Sequence, residues 1–262
     1  MPFIQVNDLN LYYEQYGSGD DLLLISGLSA DHNAWAAVVP ELSKHYKVTI
    51  FDNRGVGQSS VPEGPYSINM MVEDTKAIMD QLKIESAYVI GHSMGGMIAE
   101  MLAIDYPEKV KALVIVCSAA KRNPRSNQWL ELSAKMIETE TDIPIIADYT
   151  FSYLFGSDFI AKPENALMWL DLILSNPYPQ TLTGYKNQLV ATQTYNALDS
   201  LHKIRVKTLI IAGEDDILTP LSASKAIHQV ISQSQLLTLP CGHMPTIECP
   251  DKLANEIINW LN

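Results

Sequence analysis

The chain has 262 residues, of which 47% are hydrophobic and 18% charged, and 30 acidic against 18 basic residues give a formal net charge of −12 at pH 7. That composition supports one sizeable core and excludes an intrinsically disordered chain. The acidic excess argues against nucleic acid or an anionic membrane surface as a partner.

The opening "MPFIQVND" has neither a basic n-region nor an apolar h-region, and the apolar runs are too short to span a bilayer, so a cytoplasmic protein is expected. Cys117, Cys241 and Cys249 lack metal-type spacing and fit a reduced compartment. "FIQV" and "LYYEQYG" read as two strands turning at Asn7-Asp8. Near-continuous apolar runs follow at 21–26, 47–52, 86–91, 112–117, 207–213 and 235–240, the pattern of parallel strands covered on both faces.

Helical spacing fills the intervals. Ile68, Met71, Thr75, Ile78 and Leu82 share a face, as do Ala223, Ile227 and Val230, with Thr219 expected as N-cap and Pro220 at the first helical position. In the last helix, 250–261, Leu253, Ile257 and Leu261 line one face. Strands alternating with helices predict an α/β fold with a mostly parallel, doubly wound sheet, whose ligand site lies at the strands' carboxyl ends. From 121 to 204 the rhythm breaks: prolines, aromatics and helical patterns occur without a strand-like run. Residues 1–120 and 205–262 are therefore expected to form the core, with 121–204 as a helical cap inserted into it. Its aromatic side chains are expected to form mainly a helical core rather than a ligand wall.

The stretch "GHSMGG", 91–96, carries the chemistry. Ser93 directly follows an apolar strand and opens a helical run, which is the context of a nucleophile elbow. The tight turn needs small neighbours, supplied by Gly91 and Gly95, and the helix terminus offers free N–H groups and a positive dipole. A serine hydroxyl needs a positioned base, itself oriented by an acid. His92 adjoins Ser93 on a sharp turn and points elsewhere. His45, His202 and His228 lie in polar helical or linker contexts. His32 follows a strand end and is a secondary candidate, whereas His243, in the loop after "QLLTLP", is the expected base. For the acid, Glu214, Asp215 and Asp216 all lie at the carboxyl edge of 207–213, and spacing alone does not choose among them.

The order Ser93, Asp216, His243 resembles that of the α/β-hydrolase fold family, which the elbow motif itself typifies. "FDNRGVGQS", "YVIGHSMGG", "KTLIIAGEDDILTP" and "CGHMPTIECP" are similar to the family's blocks, in its order. Gly213 through Pro220 matches the family's G-x-x-D-x-x-x-P stretch, which puts Asp216 in the place of the acid. The branch it most resembles is that of small bacterial esterases and lactonases related to 3-oxoadipate enol-lactonase. One departure is Ser26-Gly27, where the family usually carries His-Gly; Ser-Gly here resembles the aminoacrylate hydrolases. The resemblance implies hydrolysis of a carboxylic ester or lactone of a small molecule, with backbone N–H groups of Leu28 and Met94 as oxyanion donors and no metal or other cofactor. Acyl transfer, perhydrolysis, and C–C or C–N hydrolase or lyase chemistry on the same residues are the alternatives. A monomer or homodimer without nucleic-acid or membrane partners is expected. The "NRGVGQS" loop lacks the Lys-Ser/Thr of a phosphate-binding loop and reads as a structural turn.

Overall fold

The computed structural model describes residues 2–6 and 8–262. Eight strands form one sheet: β1 Phe3–Val6, β2 Leu9–Tyr16, β3 Asp21–Ile25, β4 Lys47–Phe51, β5 Ala87–His92, β6 Val110–Val116, β7 Thr208–Gly213 and β8 Ser234–Leu239. Their order is β1-β2-β4-β3-β5-β6-β7-β8, with β1-β2 and β2-β4 antiparallel and every other pairing parallel. Asn7, half of the expected turn between β1 and β2, lies outside the described residues.

Helices α1 Val39–Leu42, α2 Ile68–Gln81 and α3 Met94–Asp105 precede β6 in the chain. Helices α4 Pro124–Glu138, α5 Ile143–Leu154, α6 Ser157–Ile160, α7 Pro163–Ser175 and α8 Leu182–Gln193 all fall between β6 and β7. Helices α9 Leu221–Val230, α10 Pro245–Glu248 and α11 Pro250–Leu261 complete the chain. The central strands are buried on both faces because each face meets its own apolar layer. Leu23, Ile25, Val89, Leu113 and Ile115 point toward α2 and α3. Leu22, Leu24, Ile90, Val114 and Ile211 point toward Trp35, α1 and α11. Helix α11 buries Leu253, Ala254, Ile257, Ile258 and Leu261, the stripe its spacing predicts.

The segment between β6 and β7 is closed at its base, where Lys121 bridges Asn196 and the Ala197 N–H donates to the Ala120 carbonyl at 2.9 Å. Part of its aromatic content packs internally: Trp129 stacks on Tyr153 and Tyr149 at centroid distances of 4.3 and 5.6 Å. Helix α7 departs from the expected helical core, because none of its residues is buried and Leu167, Leu172 and Leu174 are exposed. Thr219 also differs from its expected place as N-cap of α9; that position falls to Pro220, and the threonine hydroxyl is engaged elsewhere. No helix among the described residues is long and apolar enough to cross a membrane.

Helix α3 is buried around nearly its whole circumference, and Glu100 is fully enclosed with it. One carboxyl oxygen accepts from the Tyr195 hydroxyl at 2.6 Å and the other has no partner among the described residues. Burial pushes its pKa up from about 4.5 to about 8, against the opposing pull of the Tyr195 hydrogen bond. The folded state therefore holds this proton more tightly than the unfolded chain. The stability it contributes is complete below about pH 4.5 and is lost as pH rises toward 8. Glu100→Gln keeps the acceptor and removes the titration, so its stability over the parent should grow between pH 5 and pH 8, reaching a few kcal/mol. Urea unfolding at the two pH values measures this, and an equal difference at both would refute it.

Candidate active site

Ser93 joins β5 to α3 with φ 55° and ψ −118°, a left-handed backbone that a non-glycine residue holds only when its surroundings enforce it. They do so from several sides. The Ser93 N–H donates to the Val116 carbonyl at 2.9 Å, and the Ser118 hydroxyl donates to the Ser93 carbonyl at 2.8 Å. A Cβ on Gly91 would strike the Gly95 carbonyl, and one on Gly95 would strike the Ile25 carbonyl, so β3, β5 and α3 meet at contact distance. The glycines of "GHSMGG" are required by that approach rather than by their own φ.

His243 lies in the loop after β8. Its Nε2 is 3.0 Å from the Ser93 hydroxyl and its Nδ1 is 2.8 Å from an Asp216 carboxylate oxygen. Of the three acids after β7, Glu214 and Asp215 are exposed and only Asp216 turns inward. Glu214 accepts from Thr238, and Asp215 from the Ser157 backbone and hydroxyl. Asp216 accepts from the Leu218 and Thr219 N–H groups at 2.9 and 2.8 Å and from the Thr219 hydroxyl at 2.7 Å. Burial alone would raise its pKa, but the His243 ring and these hydrogen bonds outweigh it and hold the carboxylate below its ordinary range. The Thr219 hydroxyl that the sequence suggested for capping thus serves this carboxylate. Nothing in the one-dimensional pattern distinguishes the two uses.

The remaining histidines are accounted for. His92 is buried, and its Nε2–H donates to the His243 carbonyl at 2.8 Å. Burial and the neighbouring His243 ring lower its pKa to about 3, so it is a neutral support for the loop that carries His243. His32 directs Nδ1 at Asp52, 2.8 Å away, and Nε2 toward Glu14 at 4.0 Å. His45 and His202 are exposed, whereas His228 is half-buried and its Nδ1 meets the Ser234 hydroxyl at 2.8 Å.

The loop after β3 runs beside Ser93: a Cβ on Gly27 would lie 3.1 Å from that of the serine. Ser26, in the place of the usual histidine, is buried and fully engaged. Its hydroxyl accepts from the Trp35 indole N–H at 3.0 Å, and its carbonyl accepts from the Asn53 amide at 3.1 Å. From above, Gln188 of α8 accepts from the Ser29 N–H at 3.0 Å and donates to the Arg54 carbonyl at 2.8 Å. The N–H groups of Leu28 and Met94 have no acceptor among the described residues. The "NRGVGQS" loop is a turn docked on α8, with Gln180 donating to the Gly55 carbonyl and Arg54 paired with Asp74 through two 2.6 Å bonds.

Cys117, whose spacing from Cys241 and Cys249 gives no sign of a site, has a left-handed backbone (φ 45°) and offers its sulfur within 4.8 Å of ligand atoms of Asp216 and His243. Burial and the nearby Asp216 charge push its thiol well above the usual range, and Asp216 and His243 already bond each other. A protonated thiol beside a spent carboxylate is a poor donor set for a metal ion.

A family model described as alpha/beta hydrolase fold matches residues 22–250. The chain is 27% identical over 259 residues to a protein of Azorhizobium caulinodans provisionally named a carbamate hydrolase, covering 98% of this chain and 97% of that one. It is 30% identical over 244 residues to the poly(3-hydroxyalkanoate) depolymerase of Ectopseudomonas oleovorans, covering 92% and 83%. The enol-lactonase of Burkholderia xenovorans LB400 superposes with a TM-score of 0.88 at 27% identity, with 99% of each chain covered. With the match running from β3 through the elbow to the loop that holds His243, the chain belongs to the alpha/beta hydrolase fold family.

Proposed function

We propose that this protein is a serine hydrolase that cleaves a carboxylic ester or lactone of a small molecule through an acyl-enzyme on Ser93. The observation that carries this reading is the unbroken chain from the Ser93 hydroxyl through the His243 ring to the Asp216 carboxylate, 3.0 and 2.8 Å long. Relatives named for carbamate hydrolysis, enol-lactone hydrolysis and polyester depolymerisation support it, since each acts on an acyl group bonded to oxygen or nitrogen.

In this mechanism His243 Nε2 takes the Ser93 proton as the oxygen attacks the carbonyl carbon. The electron pair of the C=O bond moves onto oxygen, where the Leu28 and Met94 N–H groups stabilise it. Asp216 fixes the tautomer that keeps Nε2 free to accept, and it balances the imidazolium that forms. Collapse of the tetrahedral intermediate expels the alcohol oxygen, which takes the proton from His243. Water then loses a proton to His243 and attacks the acyl-enzyme, releasing the acid and restoring Ser93. Residues 121–204 act as the lid, because α5 holds the loop that carries His243 and α8 holds the loop after β3 that carries the Leu28 N–H.

Ser93→Ala should reduce turnover of short aryl esters by about 10⁴-fold or more and abolish covalent labelling by a fluorophosphonate. Parent-like rates in the variant would sink the proposal. His243→Ala should fall by a similar factor, whereas His92→Asn, which disturbs only a support of the loop, should lose far less; the reverse order would reassign the base. Ser26→Ala leaves the buried Trp35 N–H unpaired at a cost of about 1–3 kcal/mol. Thermal unfolding should register that loss, and kcat should drop through the displaced Leu28 donor. An unchanged melting temperature would remove Ser26 from this role.

A further inference from the structure

Arg122 sits at the neck where β6 leads into α4. It is 8% exposed, yet its Nε has no acceptor, and no carboxylate lies within ion-pair distance of it among the described residues. An unpaired buried cation is costly, and the chain had 30 acidic residues from which to supply a partner. Its other deeply placed guanidinium shows the usual solution, since Arg54 is held by both oxygens of Asp74. Burial lowers the Arg122 pKa only to about 10, so the group remains a cation at neutral pH.

Its surroundings are those of the catalytic loops. The side chains that flank it, Asn123 and Ser126, both donate to the Leu218 carbonyl, and the Leu218 N–H donates to Asp216. The titratable groups nearest Arg122 are the neutral phenols of Tyr185 and Tyr153, and Tyr153 in turn lies near Asp216. Tyr185 clusters with Trp129, Leu130 and Leu218, and Leu28 of the oxyanion loop packs against that cluster. Both phenols already donate to carbonyls, Tyr185 to Leu130 and Tyr153 to Ile217. The Trp129 indole N–H, in that cluster, is a second buried donor with no acceptor among the described residues. Two donors without acceptors among the described residues thus meet the apolar cluster that joins the acid loop to the oxyanion loop, Trp129 within it and the cationic Arg122 beside its Tyr185 and Tyr153.

We propose that Arg122, assisted by the Trp129 N–H, binds a carboxylate on the substrate, so that the preferred ester or lactone is that of an acidic molecule. This rests on the serine-hydrolase reading and adds its substrate class. A carboxylate fits the planar guanidinium through paired N–H···O bonds and would neutralise the buried charge. The acidic group then fixes where the reacting carbonyl lies, which makes Arg122 a specificity residue rather than a catalytic one.

The test compares mono-4-nitrophenyl glutarate with the neutral 4-nitrophenyl hexanoate on the parent, Arg122→Met, Arg122→Lys and Trp129→Phe. The parent should prefer the acidic ester at least ten-fold in kcat/KM. Arg122→Met should reduce that preference at least ten-fold, mainly through KM on the acidic ester, and Arg122→Lys should recover part of it. Trp129→Phe should reduce it by a smaller factor. Because the preference is a ratio within each variant, a general loss of folding cannot mimic it. Independently, glutarate alone should raise the melting temperature of Ser93→Ala but not that of the Ser93→Ala, Arg122→Met double variant. Neutral-ester turnover with no acid preference in the parent, or a preference that survives Arg122→Met, would overturn the proposal and leave the hydrolase reading intact. Absence of any turnover and of fluorophosphonate labelling would instead overturn the hydrolase reading, and the glutarate shift alone would then decide whether Arg122 binds an acid.

Discussion

The left-handed backbone of Ser93 is the constraint on which the rest of the site depends. A non-glycine residue at φ 55° costs on the order of 1–3 kcal/mol and persists only if its neighbours determine it. Here the neighbours are the sheet itself. The Ser93 N–H is held by the end of β6, and the carbonyl of Ile25 at the end of β3 presses on Gly95. These contacts exist only if β3, β5 and β6 lie side by side in parallel register, as they do. The sheet order is therefore more than a scaffold for the serine; it enforces the backbone that turns the hydroxyl out of the strand.

The loop of His243 obeys a second constraint, imposed from the helical segment. The His243 N–H donates to the Leu154 carbonyl at the end of α5, at 2.7 Å, while its own carbonyl accepts from His92. Glu248 accepts from Gly242 on one side and Gly156 on the other, tying the two chain segments through one carboxylate. Gly242 and Gly156 approach so closely that a side chain on either would collide with the other's backbone. Docking of α5 and placement of the ring are consequently one event. A displacement of the helices between β6 and β7 would be transmitted to the Ser93–His243 distance.

The sequence reveals the parts of this arrangement that depend on periodicity or local chemistry. Apolar runs locate the strands to within a residue or two, and the small residues around Ser93 mark the elbow, because both reflect near neighbours. The choice of Asp216 over its two acidic neighbours is different in kind. Glu214, Asp215 and Asp216 are chemically alike, and only the turn after β7 sends one of them inward. Ser26 illustrates the same limit. In the sequence it is only a departure from the usual histidine; its use appears when Trp35, nine residues on, is seen to donate to its hydroxyl. Arg122 is wholly illegible in the sequence, since its distinguishing property is the lack of a partner in three dimensions.

The overall charge gives that last residue its physical meaning. A chain of net charge −12 repels an approaching carboxylate, but at physiological salt the repulsion decays over about 8 Å. Exposed cations would be screened just as strongly and would distinguish acids poorly from the surrounding electrolyte. A buried guanidinium beside Tyr153 and Tyr185 acts where screening is weak, so its attraction is felt only by a ligand that has already entered. Under the proposed substrate class the acidic exterior and the buried cation are complementary: one limits non-specific association of anions, and the other selects the anion whose length also places a carbonyl at Ser93.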